Sequence, residues 1–299
     1  MKRICFRLAG SMLLLLSSCS DRSMSLDDEA GDLGPDLQRE ALLARWSCLS
    51  QEPGPQAYAG DEWATITYVL PIGSVLSPYV MPAGLAIALC QLNDVVCSAP
   101  LALSVNGAFQ VPPGVLALDI PYGFQGYLRL SAPGYVPTAY YFQGPMIGFD
   151  GVAHVIGEPI LLYDAQTLGD QLRLLVRDPL SPDGGILTVR AIDCLGRVSD
   201  GVRVELVGAS AESWVELNGL MVLNYDGSLT TDVSGIAGFV NVPAPTTTIV
   251  EGVAPGDCGA NDTTDGECSA EQRYGRMAVR VQPGMVTIAE LRPDYRYGR

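Results

Sequence analysis

Lysine is almost missing from this sequence: Lys2 is the only one in 299 residues, and His154 is the only histidine. With arginine as every other cation, the chain beyond its first residues has no ammonium for a Schiff base or a Ser/Lys dyad. One imidazole cannot build a His-rich metal site. It could serve a Ser/His/Asp triad, but there is no Gly-x-Ser-x-Gly elbow. His154, in GVAHVIGE beside Val152 and Val155, reads instead as a strand or loop residue. Long hydrophobic runs are missing too, since the apolar stretch from Leu8 to Leu16 falls far short of the roughly 20 residues that span a bilayer. Basic charge is scarce: 18 Lys and Arg stand against 33 Asp and Glu, a formal net charge of −15. Such an acidic surface argues against phosphate-backbone binding, so nucleic acid is not an expected partner. No sequence pattern calls for a cofactor.

What is present begins with an export signal. Lys2, Arg3 and Arg7 form a basic head, Leu8 to Leu16 an apolar run, and small residues lead to Cys19. Leu16-Ser17-Ser18-Cys19 resembles the bacterial lipobox, which implies a lipidated Cys19 and a chain tethered to a membrane by its acyl groups. Removing residues 1–18 takes away three cations and no acid, so −15 becomes −18. By the common enterobacterial sorting rule, Ser20 after Cys19, in place of Asp, permits delivery to the outer membrane of a Gram-negative envelope, the location expected here.

Six cysteines remain: Cys48, Cys90, Cys97, Cys194, Cys258 and Cys268. In an exported chain an even number favours disulfides over metal thiolates. Cys90 and Cys97 bracket QLNDVV like the ends of a hairpin, and Cys258 and Cys268 bracket the polar loop GANDTTDGE. Cys48 with Cys194 follows by elimination.

Residues 19–60 read as an acidic tether, a short helix over LQREALLARW and a Pro/Gly linker. From residue 61 the pattern is β. Strands are expected at Trp63 to Leu70, Leu85 to Cys90, Leu101 to Val105, Ala108 to Val111, Val115 to Ile120, Gly126 to Ser131 and Thr138 to Phe142. Leu168, Leu172 and Leu175 share helical spacing in a connecting segment, 164–185. Strands resume at Ile186 and recur at Val202 to Val207, Trp214 to Asn224, Gly238 to Val242, Thr247 to Val250, Met277 to Val281 and Met285 to Leu291. Short strands between Pro, Gly and Asn-Gly turns predict an all-β protein of two tandem immunoglobulin- or transthyretin-like sandwiches, 61–163 and 186–299.

The two halves share a pattern, a Gly turn feeding a Phe-led run that ends in Val-Pro. It is Asn106-Gly107-Ala108-Phe109-Gln110-Val111-Pro112 in the first and Gly235 to Pro243, with Phe239, in the second. With Ala132-Pro133-Gly134-Tyr135, these residues resemble the carboxypeptidase regulatory-like, transthyretin-like family of small β-sandwiches. The second half lacks the Pro-Gly-Tyr corner. Lipobox, short helix with Trp46-Ser47-Cys48-Leu49, and two such domains are similar to surface lipoproteins of myxobacteria. The resemblance implies fold more than activity.

Candidate sites are few. Asp257, Asp262, Asp265 and Glu267 offer hard oxygens for calcium, though not at EF-hand spacing, and a solvated loop is the competing use. Asp226 and Asp232 read as turn aspartates. Tyr127, Tyr135, Tyr140 and Tyr141 concentrate in GFQGYLRLSAPGYVPTAYYF, where alternation points some rings outward as a sugar- or peptide-binding face; core packing is the competing use. No carboxylate pair stands out for glycoside hydrolysis. The function expected is a lipid-anchored, non-enzymatic envelope protein with a structural, adhesive or binding role. The alternatives are a carbohydrate- or peptide-binding module, or the accessory or catalytic part of a secreted hydrolase.

Overall fold

The computed structural model describes residues 65–74, 77, 80–94, 96–105, 114–121, 124–141, 154–155, 159–175, 181–193, 197–217, 220–224, 227–254 and 272–293. β-branched and aromatic runs become strands wherever Gly, Pro or Asn/Asp turns bound them. The first half gives β1 (Thr65–Ser74), β2 (Ala86–Gln91), β3 (Ser104–Val105), β4 (Val115–Pro121), β5 (Gly126–Ser131), β6 (Thr138–Tyr141), β7 (His154–Val155) and β8 (Ile160–Leu162). Helix α1 (Ala165–Leu175) follows. The second half gives β9 (Gly184–Ala191), β10 (Arg203–Val207), β11 (Glu212–Leu217), β12 (Leu220–Leu223), β13 (Ile236–Pro243), β14 (Thr246–Ala254), β15 (Gln272–Val281) and β16 (Val286–Leu291).

These strands form three sheets. The central one has eight strands, in the order β12-β11-β13-β9-β16-β6-β5-β2. β16 lies between β9 and β6 and is parallel to both: Ile288 stands opposite Thr188 on one side and Tyr140 on the other. β3, β4, β1, β7 and β8 make a second sheet, in which β7 and β8 run parallel to β1. β10, β14 and β15 make a third.

Each outer sheet covers one face of the central sheet. In β5, Leu128 and Leu130 pack with Leu70 and Ile72 of β1 and Leu118 and Ile120 of β4, whereas Tyr127 joins Val250 of β14 and Val279 and Val281 of β15. β9 and β16 divide the same way: Ile186, Val286 and Ile288 join the first cluster, Leu187, Val189, Ala289 and Leu291 the second. Period-2 alternation therefore sends side chains from one core to another. Fully burying one Leu or Ile contributes about 1.5–3 kcal/mol. The halves drawn from the sequence at 164–185 share the central sheet and both clusters, and every described residue falls in one compact unit.

Within the connecting segment, expected as a helix or turn, Ala165–Leu175 is helical. Asp164 caps α1, its carboxylate accepting from Thr167 N at 2.8 Å, and Leu168 and Leu172 enter the core. Trp214 to Asn224, expected as one strand, holds two antiparallel strands, in which Trp214 pairs with Leu223 and Leu217 with Leu220. Behind them Gly238 has no room for a side chain, because a Cβ there would lie 2.5 Å from the Trp214 ring.

Candidate functional site

Three of the four tyrosines proposed as an outward face point into the protein. Tyr127, Tyr140 and Tyr141 are 1%, 0% and 2% exposed. The reason is architectural: on a sheet covered on both faces, alternation leaves no solvent side. Tyr127 stacks on Tyr141 with ring centroids 4.8 Å apart, and their hydroxyls donate to Asp94 O at 2.9 Å and Arg280 O at 3.3 Å. Burial pushes both phenols above their ordinary range. Tyr135 is half-buried at the Pro133-Gly134 corner, bridging to Asp164. Gly134 takes φ +82° there, as the corner requires.

Tyr140 belongs to a polar knot where the two halves meet. Its hydroxyl donates to Glu290 Oε2 at 2.7 Å, and Arg292 Nη2 donates to Glu290 Oε1 at 2.7 Å. Arg190 stands opposite Glu290 in the parallel register and donates through Nη2 to Pro159 O at 3.1 Å. Burial by itself would raise the Glu290 carboxyl, but Arg292, the Tyr140 hydrogen bond and Arg190 outweigh it and hold the carboxyl below its ordinary value. Tyr140 goes the other way, pushed well up by burial and then by the Glu290 charge. A carboxylate so enclosed fastens strands. Sequence reading passed over Glu290 and Arg190, although charged residues inside the runs VTIAEL and ILTVRA were a visible irregularity.

The Cys90–Cys97 disulfide is present, with Cα atoms 5.2 Å apart. It closes a loop organised around Asp94, whose carboxylate accepts from Ala99 N at 2.8 Å and Ser98 N at 2.9 Å and is held below its ordinary pKa by them. Arg129 Nη1 donates to Val96 O at 3.0 Å. On this stiff support Leu92 and Val96 stand out into solvent, 45% and 61% exposed.

A half-open groove of about 280 Å³ lies along α1, lined by Val136, Leu168, Gly169, Pro182, Ile186 and Met285 among others. A Cβ on Gly169 would meet nothing within 4 Å.

The remaining expectations divide by location. Cys19, Cys48, Cys194, Cys258 and Cys268, and Asp257, Asp262, Asp265 and Glu267, lie outside the described residues. Asp226 does too, whereas Asp232 is a turn residue whose carboxylate accepts from Ser234 N at 2.9 Å. His154 is in strand β7, paired in parallel with Tyr68. Among the described residues no group of three or more His, Cys, Asp or Glu gathers for a metal ion, and no helix is long and apolar enough to cross a membrane.

Sheets and cores together define an all-β sandwich protein. No family model matches the chain, and no curated protein is significantly similar to it. Among solved structures it is similar to a streptococcal ancillary pilin, with 13% identity over 76% of this chain and 69% of that one, at a TM-score of 0.23. It is also similar to the shaft pilin SpaA of Lactobacillus rhamnosus GG, with 11% identity over 77% and 98% of the two chains and a TM-score of 0.22. The major pilin subunit BcpA of Bacillus cereus has 10% identity over 77% and 60%, with a TM-score of 0.20.

Proposed function

We propose that this chain is a lipid-anchored protein of a Gram-negative cell envelope, held in the outer membrane through Cys19, with a non-enzymatic structural, adhesive or binding role. One observation carries the reading: a basic head, an apolar run and Leu16-Ser17-Ser18-Cys19 precede a β-sandwich body whose Cys90 and Cys97 are joined. Disulfides persist in oxidising compartments, where such a signal delivers its cargo. Two acyl chains or more at one cysteine anchor stably, whereas one holds marginally.

Cell fractionation with a labelled fatty acid tests the anchor. The native chain takes up label and partitions with membranes, and Cys19→Ala releases it to the soluble fraction; an unlabelled chain, or a variant that stays with the membrane, overturns it. The reading includes two closures beyond Cys90–Cys97, namely Cys258–Cys268 and Cys48–Cys194, which peptide mapping without reductant reads directly. It also assigns the two halves to the carboxypeptidase regulatory-like, transthyretin-like type, on the sequence pattern that Gly107 with Phe109 and Gly235 with Phe239 share.

A further inference from the structure

We infer that β12 is a self-pairing edge: two copies of this chain join along Leu220–Leu223, antiparallel about a two-fold axis at Val222, and carry the central sheet from one copy into the next. The inference goes beyond the envelope role and needs no lipid.

The backbone carries the first part of the argument. β12 is the end strand of the eight-stranded sheet and pairs with β11 alone. Asn224 N donates to Ser213 O at 2.8 Å, so Asn224 turns its backbone toward β11. Strand alternation gives Val222 the same direction and sends the N–H and C=O groups of Met221 and Leu223 outward. Among the described residues no group bonds to them from that side. Helix α1 meets the sheet by a face, where Leu168 and Leu172 share a cluster with Trp214 and Val240.

The side chains leave this edge unguarded. Exposed edges are ordinarily blunted by charge, proline or a cover. β10 carries Arg203 and Glu205, paired at 2.7 Å, and β2 is crossed by Leu101, whose N–H donates to Leu89 O at 2.8 Å. β12 consists of Leu220, Met221, Val222 and Leu223, with neither charge nor proline, and Val222 is 37% exposed.

An antiparallel copy of β12 fits each of these features. With the axis at Val222, Met221 stands opposite Leu223 of the second copy, and each such pair exchanges both backbone hydrogen bonds. The two Val222 side chains meet across the axis, Cβ atoms about 4.5–5.5 Å apart, and bury their exposed apolar groups on each other. Charge permits the pairing. Glu216, half-buried on β11 opposite Met221, is separated from its own copy by three strand spacings, about 14 Å, beyond the screening length of about 8–10 Å. Arg173, in the last turn of α1, is paired with Asp170 at 3.3 Å, and Asp226, beyond Leu223, lies outside the described residues. Because the same strand serves both copies, the contact is isologous and closes at a dimer. One strand pair buries little area, so association is weak and concentration-dependent.

Sedimentation velocity of the full chain carrying Cys19→Ala, so that acyl chains do not associate it, reads the contact apart from the anchor. The expected result is a sedimentation coefficient that rises with concentration toward about 1 mM and levels at the dimer. Val222→Lys sets two ammonium groups face to face and should weaken association at least about tenfold, with circular dichroism melting to check that the variant folds. Val222→Cys tests the register separately: Cα atoms paired across the axis fall within disulfide reach, so mild oxidation links two chains at position 222, read by peptide mapping. Val207→Cys, at a residue 40% exposed on β10, links none. A native chain that stays monomeric, as it does if the edge takes a strand of another protein, overturns the inference. So does a Val222→Lys chain that associates like the native one, growth past the dimer, or linkage at position 222 no greater than at 207.

Discussion

Glu290 and Tyr140 set opposite limits on the pH range of the fold. The Glu290 carboxyl is held below its ordinary value near 4.5, so its contribution is present above that value and is lost as pH falls through the folded pKa. The Tyr140, Tyr141 and Tyr127 phenols are raised above 10, so their contribution is present below 10 and is lost as pH climbs toward the folded values. Denaturation midpoints measured against pH should fall on both sides, with Glu290→Gln flattening the acid limb and Tyr140→Phe the alkaline one. At neutral pH Tyr140→Phe removes a hydrogen bond to a buried carboxylate and should cost about 1.5–3 kcal/mol by urea unfolding. Neither role was readable from one strand alone. Tyr140 sits in an alternating run that suits a half-exposed sheet equally well, and only a cover on both faces makes Tyr140, Glu290 and Arg190 interior groups.

Local chemistry decides the elements, and at that scale the sequence was informative. Gly126 to Ser131 has the bounds expected of it, Leu168 and Leu172 of α1 are buried, and Cys90 pairs with Cys97. Turn residues and period-2 runs act within a few positions, so a reader of the chain can see them. Pairing partners are another matter. That β16 would lie parallel between β6 and β9 depends on residues almost 150 positions apart, and nothing within Val286 to Leu291 names them. The site was legible only in its disulfide, because the tyrosine face depended on the unseen second cover. Two elements give stability predictions. Cys97→Ser opens a short loop and should lower stability by about 2 kcal/mol through the freedom returned to the unfolded chain. Gly169→Ala, with open space at its Cβ, should raise it by up to about 1 kcal/mol. Urea denaturation of each variant beside the native chain measures both.

Across the whole molecule, one sheet and two shared cores make the halves depend on each other. Calorimetry should show a single unfolding transition for the described body, its calorimetric and van't Hoff enthalpies agreeing. Two separated peaks would mean that the β6–β16 seam opens before either half melts. The position of β16 also has a bearing on the order in which the sheet can form. Synthesis from the amino terminus delivers β6 and β9 long before β16, and each waits with an unpaired edge for the strand between them. The last described strand is thus the keystone of the sheet, and β6 and β9 keep open edges until it arrives. Ending translation before Val286 should leave a product that proteases remove, even though 285 residues of it, and both outer sheets, have been made.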